Sequence, residues 1–372
     1  MAAKHARSLT ASHDQELPVR KGLITGHVLR IARESVPGGC GREQLAAAMA
    51  IAPDTVAGWE TGRRPLTAVR AGQFTRLRSV LARSGTQPGL VRILGIAMEA
   101  DHILDHARTT ASQYQPGDFH PLGAHVHRRE VIELVAWPLS GQAPAWLAVP
   151  ATRRGPVAAT PEVTPAERGL VFDHLRRVAE GSAANGSLMS RQALYLQSYD
   201  HRPDAAAWMT DQHRNARQRR TGWTAGWPVT RTLAAALVRY GNPAVLIDFS
   251  HYGLADEPGQ VANLNYWAYW LGEVPTIEPD DSFMPARLGP WRGDHVLRHL
   301  ASRLDAEDGV ADLAILTLSA LLAARPRLLG DDPELTAGLA ETAERTMDDG
   351  RMSSPARQAL AEVCYALRLH TR

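Results

Sequence analysis

Three arginines flank a short polar segment that is suited to contact a polyanion. Arg42 lies before residues 53–60, and Arg63 and Arg64 follow them after two residues. Guanidinium groups donate hydrogen bonds to phosphate oxygens, so these arginines are expected to supply much of the affinity for a nucleic acid. Within the segment, Asp54 can accept a hydrogen bond from a cytosine amino group, and Pro53 can contact a thymine methyl. Groove shape is expected to add to specificity, because neither contact is strongly discriminating.

Two short helices must position these side chains. In residues 42–49 the apolar residues Leu45, Ala46 and Met49 recur at helical spacing, and a break follows at residues 50–52. Pro53 then occupies the first position of a second helix, where a backbone N–H is not needed. That helix directs Val56 and Trp59 inward and ends near Gly62, a residue suited to a left-handed helix end. The pattern predicts a helix-turn-helix.

The segment resembles the Xre/Cro/C1 family of transcriptional regulators. The shared pattern comprises Arg42, Leu45-Ala46, Thr55-Val56, Trp59-Glu60 and Gly62. It covers about the first quarter of the chain. The chain departs from the family at Arg42, where Gln is usual, at Ala50, where a turn glycine is usual, and at residues 37–39, which form a small insertion. The resemblance implies a recognition helix in the major groove, with Pro53, Asp54 and Gly58 at the base-reading positions and Thr55 and Thr61 nearby.

Charge is distributed unevenly along the chain. Residues 1–92 contain 14 Lys/Arg and 6 Asp/Glu, a balance of +8, whereas the whole chain carries +2, so residues 93–372 carry −6. A basic domain joined to an acidic one is typical of a DNA-binding protein with a second, non-DNA-binding part. The double-stranded DNA partner expected from the motif is therefore also expected from the charge.

Length and composition restrict the class of protein to which the chain can belong. The 372 residues suffice for two or three domains with large cores. The two cysteines, Cys40 and Cys364, are far apart, which favours a reducing compartment. The N-terminus lacks the apolar run of a secretory signal, and no apolar stretch is long enough for a bilayer, so we expect a cytoplasmic protein without a membrane partner.

Proline, glycine and apolar periodicity divide the chain into five parts. We expect a disordered tail at 1–20, a small five-helix-type DNA-binding domain at 21–86, a connecting helix at 87–111, a connector at 112–164 and a helical domain at 165–372. Within the connector, the apolar runs at 131–139 and 145–149 are candidates for a short β-hairpin. The chain is otherwise predicted to be all-α.

The helical domain is punctuated by Gly and Pro at nearly every junction, which is typical of short connections between antiparallel helices. The architecture is either a solenoid or an irregular bundle, and no repeat consensus selects between them. It resembles the C-terminal regions of Xre-type regulators from high-GC Gram-positive bacteria. Ten helices are predicted, at 165–181, 190–199, 203–221, 229–241, 244–252, 258–272, 291–305, 310–324, 333–349 and 355–369.

One helix of this domain carries the densest aromatic cluster. Asn263, Tyr266, Trp267 and Trp270 share a helical face, and aromatic walls with a few polar groups are typical of a ligand pocket. These four residues are the candidate ligand site. The alternative is ordinary helix–helix packing, which is the more frequent use of such residues.

Two further clusters of polar residues are weaker candidates for a functional site. His120, His125, His127 and Glu130 include metal-ligand types, but His-x-His spacing alone is common, so no metal or other cofactor is expected. The basic run at 213–220 is either a DNA or acidic-partner contact or, more often, a solvated helix face.

The sequence therefore predicts a dimeric, sequence-specific transcriptional regulator, because one helix-turn-helix alone buries too little surface for specificity. Its helical domain is a candidate sensor of a small molecule, peptide or protein. The alternative is a protein-interaction module, antitoxin-like or scaffolding, which would co-purify with its partner. No phosphate loop, nucleophile elbow or metalloprotease motif is present in the sequence, so we do not expect an enzyme.

Overall fold

A computed structural model describes residues 20–110, 114–115, 118–126, 128–147, 160–183, 188–216, 222–276, 278, 280–306 and 309–370. These residues form helices, turns and irregular segments, with no strand among them. The predicted all-α fold class is confirmed. Except for Arg20, the predicted disordered tail lies outside the described residues. No helix in the described ranges combines the length and apolar character needed to cross a membrane.

The chain divides into two compact units. Unit 1 comprises residues 1–101 and 148–156, and unit 2 comprises residues 102–147 and 157–372. The core of unit 1 includes the fully buried side chains of Leu29, Leu45, Val56, Leu77 and Leu81. Its helices are α1 (Leu23–Glu34), α2 (Arg42–Met49), α3 (Pro53–Glu60), α4 (Ala71–Arg83) and most of α5 (Pro88–Thr109).

A buried carboxylate on α5 stabilises the start of α1. Asp101 is fully buried, and its carboxylate accepts hydrogen bonds from the backbone N–H groups of Ile24 (2.8 Å) and Thr25 (2.7 Å). The Thr25 hydroxyl also donates to it, at 2.5 Å. The first N–H groups of a helix lack partners within the helix, and a negative charge there is favourable. Asp101 therefore joins the last helix of unit 1 to its first.

Unit 2 contains the remaining α-helices. In chain order these helices are α6 (Arg129–Ser140), α7 (Pro165–Ala183), α8 (Leu188–Gln197), α9 (Ala205–Ala216), α10 (Trp227–Val238), α11 (Ala244–Gly253), α12 (Glu257–Trp270), α13 (Asp294–Ala301), α14 (Val310–Ala324), α15 (Leu328–Asp331), α16 (Pro333–Asp349) and α17 (Ser354–His370). Every one of the ten helices predicted for residues 165–372 overlaps one of them, and the single-turn α15 was not predicted.

The helix α14 is central to unit 2. It packs against α11, α12, α13 and α17, whereas in a solenoid each repeat contacts only its sequence neighbours. The mean hydropathy of α14 is the highest of these helices, and Ile315, Leu318 and Leu321 are fully buried. The described part of unit 2 is therefore an irregular bundle, one of the two predicted architectures.

The predicted β-hairpin in the connector is wrong. Residues 131–139 lie inside α6, which ends at Gly141 with φ 76°. Val131, Leu134 and Trp137 are fully buried, so the run is apolar because α6 is covered by neighbouring helices. A continuous apolar run has the same appearance in a buried strand and in a buried helix, and periodicity alone does not separate them. Residues 148–159 lie outside the described residues.

Candidate functional site

The turn between α2 and α3 determines how the N-terminus of α3 is presented. Ala50 ends α2 with φ 52° and ψ 49°, the left-handed conformation that favours glycine. The Ala50 N–H donates to Ala47 O at 3.1 Å, and the Ile51 N–H donates to Ala46 O at 3.0 Å. Pro53 begins α3 as predicted. The chain therefore keeps a left-handed turn, at the backbone strain of a residue that has a Cβ.

Close packing of α1 on the end of α3 holds the motif together. A Cβ placed on Gly26 would lie 2.5 Å from the carbonyl oxygen of Trp59. Trp59 itself is 2% exposed. Only a glycine allows the two backbones to approach this closely, so the sequence of α1 fixes the position of α3.

Glu60 lies at the centre of a charge network inside the motif. Its carboxylate accepts hydrogen bonds from Nε of Arg33 and from Nε of Arg42, each at 2.6 Å. The Glu60 side chain is 1% exposed and that of Arg33 8%, whereas Arg42 is 41% exposed. Arg42 therefore joins α2 to α3 while part of its guanidinium remains at the surface. Sequence reasoning identified Arg42 but not the buried Arg33–Glu60 pair behind it.

The exposed N-terminal turn of α3 carries the predicted base-reading residues. Pro53 and Asp54 are exposed and Thr55 is half-buried. Asp54 pairs with Arg63 at 2.5 Å and with Arg64 at 3.9 Å, and Arg64 also donates to the Thr55 hydroxyl at 3.4 Å. The hydrogen bond from Arg63 lowers the pKa of the Asp54 carboxyl. The structure thus brings four of the predicted DNA-binding residues together in one exposed cluster.

Gly58 and Thr61 differ in accessibility. Gly58 is buried, and a Cβ there would lie 3.3 Å from Cγ and Cδ of Arg64, so the glycine makes room for that side chain. Thr61 is exposed, and its hydroxyl donates to Ala57 O at 2.9 Å. Gly58 therefore affects the surface through Arg64, and Thr61 lies on the surface directly.

The rest of unit 1 is rich in exposed positive charge. Two of its acidic side chains, Asp101 and Glu60, are buried and hydrogen-bonded. Basic side chains on or beside α4 are instead exposed, so the surface of unit 1 carries positive charge beyond the motif. These residues are Arg70, Arg76, Arg78 and Arg83.

Unit 2 contains a cavity of about 390 Å³, which we name the arginine cavity. Side chains from α6, α8, α10, α12, α13 and α14 line it, so residues far apart in sequence meet there. The predicted Tyr266, Trp267 and Trp270 lie in its wall, whereas Asn263 is buried behind the wall and is not a lining residue. A volume of a few hundred Å³ with aromatic walls is typical of a small-molecule site.

Asn263 supports the wall by holding Arg231. Its Oδ1 accepts a hydrogen bond from Nε of Arg231 at 3.1 Å, and its Nδ2 donates to the Thr317 hydroxyl at 2.7 Å. Arg231 is 4% exposed, and its guanidinium carbon lies 3.7 Å from the ring centroid of Tyr266 and 4.9 Å from that of Trp267. The predicted cluster is thus built around an arginine that sequence reasoning missed.

Four more arginines line the cavity, and two of them have carboxylate partners. Nε of Arg129 pairs with Glu133 at 2.9 Å, and Arg191 pairs with Asp281 at 2.7 Å. Arg239 donates to the Ser198 hydroxyl at 2.9 Å and lies over the ring of Tyr199. Arg303, on the segment after α13, is the fourth. Sequence reasoning missed all four, because an isolated arginine on a helix predicts a solvated side chain.

The wall also contains a histidine and an acid. Burial, together with the positive charge of Arg303, Arg129 and Arg231, lowers the pKa of His299 to about 4, so its imidazole is neutral at pH 7. Glu133 is occupied by Arg129 and by the indole N–H of Trp146. Because Glu133 is the one carboxylate among the described lining residues, the wall is strongly positive.

A second ionisable cluster in unit 2 consists of histidines. The ring nitrogens of His106, His120 and His174 lie within 4.8 Å of one another. Burial lowers the pKa of His120 to about 3 and that of His174 to about 4. Among the described residues, this group includes neither His125 nor Glu130 from the predicted cluster, and His127 lies outside the described residues.

Hydrogen bonds assign the protons of the His120–His174 pair. The Leu122 N–H donates to Nδ1 of His120 at 3.0 Å, so a neutral His120 carries its proton on Nε2. Nε2 of His120 lies 2.6 Å from Nε2 of His174, which must then accept. The pair is a hydrogen-bonded structural unit, and a metal ion would have to break both hydrogen bonds to bind these nitrogens.

The predicted basic run at 213–220 is only partly described. His213 and Arg214 lie in the last turns of α9, and Arg214 pairs with exposed Asp211 at 2.7 Å. Residues 217–221 lie outside the described residues.

Comparisons with known proteins give no relative for this chain. No family model, no curated protein and no solved structure matches it. The geometry of the two units must therefore support any assignment of function by itself.

Proposed function

We propose that the chain is a sequence-specific DNA-binding transcriptional regulator of the Xre type, which acts as a cytoplasmic homodimer. The observation that carries this proposal is the exposed N-terminal turn of α3, flanked by Arg63 and Arg64 and presented by the left-handed turn at Ala50. A recognition helix contacts bases with its N-terminal residues while neighbouring groups bind phosphates. In this proposal, Asp54 and Thr55 contact bases, and Arg63 and Arg64 bind phosphates.

Charge supports this assignment. The balance of +8 in residues 1–92 favours binding to phosphates, whereas the balance of −6 in the remainder does not. The protein-interaction alternative explains the fold of unit 1 equally well, because Leu45, Val56 and Trp59 are core residues in either case. It gives no reason for a cluster of exposed arginines around α3.

In this proposal unit 2 provides dimerisation and effector control. A ligand that binds one conformation of unit 2 better than another shifts the population and so changes the affinity for DNA. The arginine cavity is the candidate effector site, where the ligand binds without being chemically changed. The acid in its wall, Glu133, is engaged by Arg129 and Trp146 rather than free for proton transfer.

Selection of binding sites from a pool of random duplex DNA tests the proposal. The purified full chain is expected to enrich a motif with two-fold symmetry, because two copies of α3 would contact two half-sites about one helical turn apart. Enrichment of a single unrepeated half-site would refute the dimer. Absence of any motif, together with stoichiometric co-purification of another protein, would favour the interaction module.

A further inference from the structure

The arginine cavity has an excess of positive charge that the described carboxylates do not neutralise. Of its five arginines, Arg129 and Arg191 have carboxylate partners, whereas no carboxylate among the described residues pairs with Arg231, Arg239 or Arg303. Burial lowers the pKa of Arg231, and the positive charges of Arg191 and Arg303 lower it further. The side chains therefore repel one another across the cavity.

Arg231 is the most unusual of these side chains. It is 4% exposed, its Nε donates to a neutral amide, and its Nη2 has no hydrogen-bond partner among the described residues. A buried charge without a counter-charge is strongly destabilising, and natural proteins rarely contain one that serves packing alone. Stacking on Tyr266 and Trp267 offsets only part of this penalty.

Three other unsatisfied groups in the wall are also donors. Nε of Arg191 and the indole N–H groups of Trp267 and Trp270 are buried without acceptors among the described residues. Nε2 of neutral His299 is buried without a partner there too, and whether it donates or accepts depends on the tautomer. Together with Nη2 of Arg231, four N–H donors lack a partner around one cavity. Because each of these groups can donate but not accept, the complementary ligand is rich in acceptors.

We propose that the arginine cavity binds a small organic anion, a carboxylate or a phosphate ester, that carries a flat aromatic group. The anionic end pairs with Arg231, which can present parallel N–H donors to an oxyanion. The flat group packs against Tyr266, Trp267 and Trp270, which supply the aromatic part of the wall. The volume of about 390 Å³ admits a small molecule rather than a folded partner.

This inference rests on the proposed function in one respect, because it specifies the effector class of the regulator. Binding of the anion itself does not require DNA, so titration with anions fails or succeeds independently of the proposed DNA-binding activity. If the anion binds and no operator is found, the regulatory assignment is wrong and the ligand site remains.

The test compares probes that differ in charge and in whether the anionic group is a carboxylate or a phosphate. The full chain is titrated with indole-3-acetate, its neutral analogue indole-3-acetamide, and adenosine monophosphate at constant ionic strength. Dissociation constants are measured by ligand-observed NMR and checked by the shift in thermal unfolding temperature. At least one of the two anions is expected to bind. If the cavity prefers a carboxylate, the amide is expected to bind about 10- to 100-fold more weakly than indole-3-acetate.

Preferential binding of adenosine monophosphate would identify a phosphate ester as the ligand and would support the proposal equally. Binding of neither anion would overturn it. Binding of the amide as tightly as indole-3-acetate, with no binding of adenosine monophosphate, would also overturn it, because charge would then have no role.

Variants locate the site. Arg231→Met is expected to abolish anion binding while leaving the unfolding temperature without ligand unchanged or higher, because a buried unpaired charge is removed. Arg303→Gln changes a residue on the segment after α13 and is expected to weaken binding severalfold. Arg298→Gln, an exposed arginine of α13 that does not line the cavity, is the matched control and should bind as the unmodified chain does. Anion binding that is unchanged in both cavity variants would refute the site.

Discussion

Nη2 of Arg63 donates a hydrogen bond to Oδ1 of Asp54 at 2.5 Å across the start of α3. Both side chains are 60% exposed, so the pair adds little to stability. The pair instead affects the charge that the surface of α3 presents. Asp54, at the predicted base-contacting position, engages an arginine that is proposed to contact a phosphate. In the proposed complex, DNA either displaces this pairing or donates a hydrogen bond from a base to Asp54.

Replacing Asp54 by Asn should strengthen binding to DNA of any sequence and weaken discrimination between sequences. The substitution releases Arg63 and Arg64 from the carboxylate and removes one negative charge. We expect the slope of log affinity against log salt to steepen by about one for each additional phosphate that these arginines bind. Fluorescence anisotropy on selected and scrambled duplexes at several salt concentrations measures both effects.

The control for this experiment is Asp211→Asn. Asp211 is an exposed acid of unit 2 that pairs with Arg214 at 2.7 Å, so its replacement changes net charge by the same amount without altering unit 1. A steeper salt slope in both variants would show that net charge alone is responsible and that the Asp54 pairing has no specific role.

The turn between α2 and α3 gives a prediction about stability. Ala50→Gly should stabilise the motif by about 1 kcal/mol, because glycine adopts the left-handed conformation without the clash of a Cβ. Ala48→Gly, in the last turn of α2, should instead cost up to about 1 kcal/mol, because glycine has a lower helix propensity than alanine. Hydrogen exchange of α2 and α3 in the full chain measures the two changes. A loss of protection in Ala50→Gly would show that the turn is not strained.

The buried charges of unit 1 give a second prediction about stability. Glu60→Gln leaves Arg33, whose side chain is 8% exposed, with only its longer contact to Glu34 (3.5 Å), and should destabilise unit 1 by about 3 kcal/mol. Glu43→Gln, at an exposed position of α2, should change stability by less than about 0.5 kcal/mol. Local protection in α1 to α3, measured by hydrogen exchange, separates the two outcomes. Equal effects would mean that Glu60 is not the main counter-charge of Arg33.

The His120–His174 pair predicts a dependence on pH. Both pKa values are lowered in the folded chain, to about 3 and about 4, from the ordinary histidine value of about 6.5. The unfolded chain therefore binds more protons, and the stability due to the pair is present above about pH 6.5 and lost as pH falls toward 4. Each imidazole can contribute a slope of up to about 1.4 kcal/mol per pH unit in that window.

His174→Gln should reduce this slope, because glutamine can accept the same hydrogen bond without titrating. Urea denaturation between pH 7.5 and 5 gives the slope, and His201→Gln, at an exposed histidine, is the control. A slope that is identical in all three proteins would show that the pair is not neutral in the folded chain.

Most helices of the fold were predictable because their ends are encoded locally. Pro53, Pro333 and Gly350 mark boundaries through fixed or positive φ angles, and the predicted ends of α14 and α16 agree with the structure. The hairpin error at 131–139 has the opposite origin. Whether an apolar run is a helix or a strand depends on what covers it, and α6 is covered by residues distant in sequence.

The candidate sites were predictable to different extents. The α3 surface is a local feature, so Asp54, Arg63 and Arg64 could be identified from one segment. Tyr266, Trp267 and Trp270 could be grouped by helical spacing, but the arginines that give the cavity its charge could not. Arg231 and its neighbours belong to separate helices, and their burial is a property of the bundle rather than of any segment.

Capture and sequencing of fragmented host DNA on the purified full chain at about physiological salt tests the central claim most directly. Three proteins are compared: the unmodified chain, Arg63→Ala/Arg64→Ala, and the charge-matched Arg345→Ala/Arg357→Ala, whose sites are exposed in unit 2. We predict a few enriched loci that share a two-fold motif, lost in the first variant and retained in the second. Uniform recovery of DNA by the unmodified chain, or the same loci in the first variant, would contradict the proposed DNA-binding function.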